Sequence, residues 1–282
     1  MNRSLVLGVL IFWLAAWAFN VWLSWRRQSR VAAAVVPLLF GVSLIVLWEG
    51  LVRGFHVKAV LLPPPSMIAA AFVGKADVLW ADFFQTFVKG ALSGYVIGCG
   101  SAFLIAVLID RSPFLQRGLL PVGNFVAALP IIGMAPILVM WFGFDWQSKA
   151  AIVVVMCFFP MLVNTVEGLR ASDAMQRDLM RTYAASYWQT LFKLRLPAAA
   201  PFIFNGLKIC TTLALIGAIV AEFFGSPIVG MGFRISTEVG RLALDMVWAE
   251  IAVAAVAGSA FYGVVTLLER AATFWHPSQR QE

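Results

Sequence analysis

The segment SLVLGVLIFWLAAWAFNVWLSW, residues 4–25, decides the fold class, because its 22 residues carry no acidic or basic side chain between Arg3 and Arg26. A helix needs roughly 20 apolar residues to cross the hydrocarbon core of a bilayer, so this segment is long enough by itself. A second uncharged run, residues 118–144, lies between Arg117 and Asp145. Over the whole chain 61% of residues are hydrophobic and 12% are charged, about half the ~25% charged fraction of a soluble domain. That is too little charge to cover a water-facing surface. Seven stretches read as spans: Ser4–Trp25, Val31–Trp48, Phe83–Ile109, Gly118–Phe142, Ala150–Val166, Phe202–Ala221 and Met246–Leu268. Hydrocarbon offers no partner to open backbone groups, so each span must be a helix. The expectation is an all-α, polytopic membrane helical bundle of about six or seven transmembrane helices.

The chain divides on this reading into an extra N-terminal transmembrane helix with a basic block (residues 1–30), a first core helix with an outer Pro-rich segment (31–82), a transmembrane core (83–268) and a cytoplasmic tail (269–282). The start of the chain also resembles a secretory signal. Its apolar run outlasts the usual signal core, however, and Trp17 interrupts the small-residue site Ala16-Trp17-Ala18. The block Arg26-Arg27-Gln28-Ser29-Arg30 then reads as a stop-transfer signal, so the helix is expected to be retained. Placing the loop at 167–200 in the cytoplasm assigns twelve Lys and Arg to that side and eight to the other, with Lys208 near a span end. This orientation puts the N-terminus outside and the C-terminus inside.

The net charge of +7 does not indicate nucleic acid, because the basic residues lie in short clusters between spans. Cys99, Cys157 and Cys210 fall inside apolar stretches, with neither a disulfide pattern nor metal-ligand spacing, and read as small packing residues. Two histidines, His56 and His276, supply no metal or nucleophile-base cluster. Gly74-Lys75 lacks the earlier glycine and the following hydroxyl of a phosphate loop. No cofactor or metal is expected. Leu61-Leu62-Pro63-Pro64-Pro65-Ser66 predicts an extended entry, with Ser66 near the N-cap of a short interfacial or outer helix over Met67–Val73. Pro121, Pro130 and Pro136 predict a kinked or broken fourth helix. Lys89, Lys208, Glu222 and Glu250 are the ionisable groups in or beside spans; they are either pathway groups or interface residues that snorkel to water.

The long loop is the most informative. From Ser172 to Phe192 it predicts an amphipathic helix pair, with Met180, Tyr183, Ala184, Tyr187, Trp188 and Leu191 on one apolar face. Such a face either lies on lipid headgroups or inserts into a groove on a partner.

These residues resemble the binding-protein-dependent inner-membrane permeases of ATP-binding cassette (ABC) importers. Their loop motif runs E-A-A, three residues, Gly, nine residues, I-x-L-P. Here the register is Asp178-Leu179-Met180, three residues, Ala184, nine residues, then Leu194-Arg195-Leu196-Pro197, with the spacing kept and the first four motif residues changed. Leu62–Pro65, Ala128–Pro136, Leu138–Gly143, Phe158–Pro160, Asn164-Thr165, Gly168–Asp173, Ala185–Thr190, Val220–Glu222 and Gly230–Gly232 are similar to the sulfonate, taurine and nitrate branch. The likeness covers roughly residues 31–268 and leaves the first span outside it.

The resemblance implies a type I importer permease in a bacterial inner membrane. Its partners would be ABC subunits that hydrolyse ATP, a periplasmic solute-binding protein, a second permease copy (a homodimer) and membrane lipid. Asp178, Met180, Ala184, Tyr187, Trp188, Leu194 and Pro197 would couple it to the ATPase, and Asn164, Lys208 and Glu222 are candidates for the solute pathway. The chain would not itself be an enzyme. The solute class implied is sulfonate-, nitrate- or vitamin- and pyrimidine-precursor-like. The alternatives are an integral lipid-modifying enzyme, disfavoured by sparse His and scattered carboxylates, and a structural membrane anchor.

Overall fold

The computed structural model describes residues 2–25, 30–112, 114, 118, 130–225 and 228–274. Its helices are α1 (Arg3–Trp25), α2 (Arg30–Gly54), α3 (Pro65–Gly74), α4 (Ala76–Asp110), α5 (Ile131–Phe142), α6 (Trp146–Arg170), α7 (Ala174–Thr182), α8 (Tyr187–Phe223), α9 (Met231–Gly240) and α10 (Leu244–Ala272). No strand occurs among the described residues. Six helices (α1, α2, α4, α6, α8 and α10) are long and apolar enough to cross a membrane. Residues 119–129 of the fourth expected span, with Pro121, lie outside the described residues, as do Arg26–Ser29, Arg117 and the tail from Trp275 with His276. The described part of that span is α5, which carries Pro136 inside the helix and begins after Pro130.

Two compact units are distinguished. The first is Met1–Leu79 with Thr237–Ile251. Here α1 packs on α2 at Gly50 and Gly54, where the missing side chains admit Val9 and Val6. This is the close approach that small residues four apart allow between membrane helices. The Asn20 amide donates to the Val36 carbonyl at 3.1 Å, which ties the far end of the hairpin. Ser66 lies near the N-cap as expected: Pro64 is the cap of α3, Pro65 opens it, and the Ser66 N–H and hydroxyl donate to the Glu49 carboxylate at 2.9 and 2.8 Å. Proline fits the first turn because an N–H there has no partner within the helix.

The second unit is Trp80–Ser236 with Ala252–Glu282. Its core is α6, clasped between α4 and α8. At Gly94 a Cβ would meet Val153 Cβ at 2.5 Å and the Ala150 carbonyl at 2.6 Å, so α4 approaches α6 at near-backbone contact. Ala91, Tyr95, Cys99, Ala102, Val153, Cys157, Met161, Cys210, Ala214 and Ala218 fill the space between the three helices.

Two helices begin seven or more residues earlier than the hydropathy pattern predicts. The span read as Phe202–Ala221 belongs to α8, which starts at Tyr187 inside the expected loop. That read as Phe83–Ile109 starts at Ala76. Polar residues in these first turns hide the helix from a hydropathy reading.

Candidate functional site

The connection between α6 and α8 is built from local signals. The Asp173 carboxylate caps α7 by accepting from Met175 N–H at 3.1 Å. Helix α7 ends in a two-bond closure: Ala185 N–H reaches the Met180 carbonyl at 3.0 Å and Ala184 N–H reaches Arg181 at 2.9 Å. That closure requires a left-handed residue between helix and exit, and Ala184 supplies it at φ 51. Smallness at this position is therefore not the requirement; left-handed φ is. Ser186 and Gln189 then form a capping box that opens α8. The Ser186-x-x-Gln189 spacing was available in the sequence as a helix-start signal.

A second set of contacts seats this connection on the bundle. Arg195 grips Asp110 through both guanidinium nitrogens, at 2.5 and 2.7 Å, and donates to the Leu169 carbonyl at 2.9 Å. Tyr187 hydroxyl joins the same Asp110 carboxylate at 3.0 Å. Arg111 lies over the rings of Tyr187 and Trp188, 4.7 and 5.3 Å from their centroids. Arg177 donates to the Ser172 carbonyl at 2.6 Å and so closes the end of α6. Just before Pro197, α8 widens into a π-type turn over Leu191–Arg195. Pro197 has no N–H to return to the preceding turn, and π-type turns recur where a helix must re-aim a side chain.

The single apolar face expected from Ser172 to Phe192 is corrected. The left-handed turn at Ala184 divides it. Leu191 is buried and Tyr187 packs inward with Leu169, Ala199 and Leu196. Met175, Leu179, Tyr183, Trp188 and Phe192 stand exposed instead, with Trp188 and Phe192 stacked at 6.1 Å. Asp178 is exposed beside them and pairs with Arg181 at 3.2 Å. Met180, Leu194 and Pro197 are half-buried. Asp110, which anchors this region, was missed because it reads only as the polar end of a span.

The pathway candidates are dispersed. Glu222 is 2% exposed, and its carboxylate accepts from Thr86 hydroxyl at 2.8 Å and from Gly232 N–H at 2.7 Å. Thr86 in turn accepts from Met231 N–H at 2.7 Å, while Asp82 accepts from Gly230 N–H at 2.6 Å and from Arg234 at 2.8 Å. Asp82, Thr86 and Glu222 thus hold the start of α9. Lys208 pairs with Glu269 at 2.8 Å between α8 and α10. Asn164 donates to the Pro160 carbonyl and accepts from Asn205 at 3.0 Å. Lys149, counted in the sequence among outer-loop charges, is 1% exposed and donates to the Phe144 carbonyl at 2.5 Å. Its neighbour Asp145 caps α6, and the Gln85 amide, then the Trp146 N–H, hold its carboxyl below the usual carboxylate range.

Folding also brings together three residues that the sequence kept apart. The Cys99, Cys157 and Cys210 sulfurs lie within 4.8 Å of one another, all free thiols and all buried.

Six of the described helices are long and apolar enough to cross a membrane, which makes this a multi-span membrane protein. The match of residues 94–274 to the family model for binding-protein-dependent transport system inner membrane components places this chain in that family. It is similar to the formylaminopyrimidine transport permease protein ThiX of Halalkalibacterium halodurans, 29% identical over 89% of this chain and 100% of the relative. The riboflavin transport system permease protein RibX of Chloroflexus aurantiacus is 28% identical over 83% and 88%. The taurine transport system permease protein TauC of Escherichia coli is 24% identical over 89% and 92%. The resemblance to the sulfonate and taurine branch of ABC permeases stands.

Proposed function

We propose that this chain forms the solute pathway of an ATP-driven importer and that Met175, Leu179, Tyr183, Trp188 and Phe192 dock it onto an ATP-binding subunit. The observation that carries this is the exposed knuckle at the turn between α7 and α8. An exposed apolar patch with a polar rim is the mark of a protein interface, and an aromatic anchor in a partner groove is its usual energetic centre. Asp178 and Arg181 form that rim. The coupling positions expected from the sequence, Asp178, Met180, Ala184, Tyr187, Trp188, Leu194 and Pro197, frame and support this patch. Ala184 and Tyr187 shape and seat the turn, while Trp188 makes contact.

In this reading the α6–α8 connection is cytoplasmic, the N-terminus lies outside and the C-terminus inside. Two copies enclose the pathway, and a periplasmic solute-binding protein delivers to it. Residues 31–82 and 83–268 then make the permease core, with 1–30 an added helix and 269–282 a tail. Asn164 and Lys208 are the pathway groups still placed on half-buried helix surface. Glu222 acts as a latch on the α9 segment. Relatives named for taurine, riboflavin and formylaminopyrimidine point to a small polar solute as cargo.

The test is capture and uptake. Tagged chain purified in detergent brings down its ATP-binding subunit, and Tyr183→Asp with Trp188→Asp abolishes both capture and ATP-dependent uptake while leaving the chain in the membrane. Full capture by that double variant would refute the docking surface.

A further inference from the structure

We infer that Cys99, Cys157 and Cys210 form a binding site for a trivalent thiophilic centre of the arsenite class, closed between α4, α6 and α8. One thiol comes from each helix, and the three sulfurs lie within 4.8 Å of one another. Three points so placed share a centre at most about 2.8 Å from each, and thiolate bonds to borderline-soft ions are about 2.3 Å long. Each sulfur therefore moves by about half an ångström to close a three-coordinate site. Rotation about the Cα–Cβ bond of a small side chain supplies such a shift. In the unliganded protein the thiols are occupied by weak contacts: Cys157 donates to the Cys210 carbonyl at 3.5 Å and Cys210 to the Cys157 carbonyl at 3.3 Å.

Charge selects the ligand. The three cysteines belong to one buried apolar core with Tyr95, Ala102, Val153, Met161, Leu162 and Ala214. An uncompensated charge in such surroundings is strongly disfavoured. Three thiolates around a monovalent ion leave two negative charges, and around a divalent ion one. Around a trivalent centre they leave none. The reaction balances without an oxidant: As(OH)3 and three R–SH give As(SR)3 and three water molecules. Three As–O bonds break, three As–S bonds form, and each hydroxide leaves with one thiol proton. Arsenous acid is uncharged, so it reaches an apolar site without the desolvation cost borne by an ion.

The probe is sodium arsenite, added to the full-length protein in detergent after reduction and removal of reductant. The expected result is one arsenic bound per chain, with three sulfur neighbours in its X-ray absorption spectrum. The chain has three cysteines in all, so a three-sulfur shell at that stoichiometry requires every one of them. Single Cys99→Ala, Cys157→Ala and Cys210→Ala variants each weaken binding by at least about tenfold, because each thiol is presented at high effective concentration. Cadmium, which would leave a net charge, binds more weakly than arsenite. No bound arsenic, a two-sulfur shell in the unaltered chain, or cadmium binding as tight as arsenite would overturn the assignment. The spectroscopic arm uses the unaltered protein, so the result stands even where a variant fails to fold.

Discussion

Ala184 offers a perturbation whose sign follows from one dihedral angle. A left-handed conformation costs a residue with a Cβ about 1–2 kcal/mol, and Ala184 sits at φ 51. Glycine escapes that cost but gives up about 0.5–1 kcal/mol in unfolded-chain entropy. Ala184→Gly should therefore stabilise the protein by about 0–1.5 kcal/mol, centred near 0.75, the difference between the two. Ala184→Val goes the other way. A β-branched residue at positive φ is a genuine outlier, and its stiff side chain makes the left-handed region less favourable still than for alanine. The position is exposed, so neither side chain meets a buried neighbour and the backbone alone decides. For chains of this size 1 kcal/mol moves the midpoint by about 2–4 °C. Thermal unfolding of the three proteins in one detergent should rank them Gly, Ala, Val from highest to lowest. Amide exchange should slow in the Gly variant at Ala185, whose N–H closes onto the Met180 carbonyl. A Gly variant that melts below the unaltered chain, or a Val variant that melts with it, would refute the reasoning.

Three further perturbations test the frame around that turn. Asp110→Asn leaves Arg195 without its bidentate partner and should destabilise by about 2–4 kcal/mol, near the range for breaking a buried pair; denaturation midpoints measure it, and the exchange Asp110→Arg with Arg195→Asp should recover part of the loss. Gly94→Val drives a side chain into Val153 and the Ala150 carbonyl, and such overpacking costs about 1–3 kcal/mol or more, seen as loss of the monodisperse peak on size exclusion. Asp145 has a depressed carboxyl pKa, so its contribution is complete above the ordinary aspartate value and falls away as pH drops through the lower folded value. Unfolding midpoints of the unaltered chain should therefore decline more steeply below about pH 4 than those of Asp145→Asn, and parallel slopes would count against the cap.

Much of this architecture is legible in the linear chain. The uncharged run before Arg26 predicts α1, the proline cluster predicts the extended lead into α3, and motif spacing from Asp178 to Pro197 points to the α7–α8 connection. What failed did so for identifiable reasons. Three- and four-residue spacing puts the loop's apolar residues on one face, but that spacing does not carry across the turn between the two helices of the pair. A left-handed residue at Ala184 rotates Tyr187 and Leu191 toward the bundle and leaves Tyr183 and Trp188 outside. Lys149 lies one turn into α6, close enough to the polar end to read as exposed; packing buries it. The partner of Ser66 was not legible, because Glu49 lies on a different helix and meets it only through packing.

The sequence by itself therefore determined the all-helical, membrane-spanning nature of the chain and its family resemblance. Those properties accumulate along the backbone: each apolar residue adds its own transfer energy and each helical turn satisfies its own hydrogen bonds. Tertiary structure alone decided which groups meet. Asp110 finds Arg195, Glu222 finds Thr86 and Gly232, and three cysteines on α4, α6 and α8 converge on one point. Such pairings depend on the register and crossing of helices set by close contacts such as Gly94 on Val153. Residues far apart in the chain become neighbours only through that packing, and no local pattern encodes it.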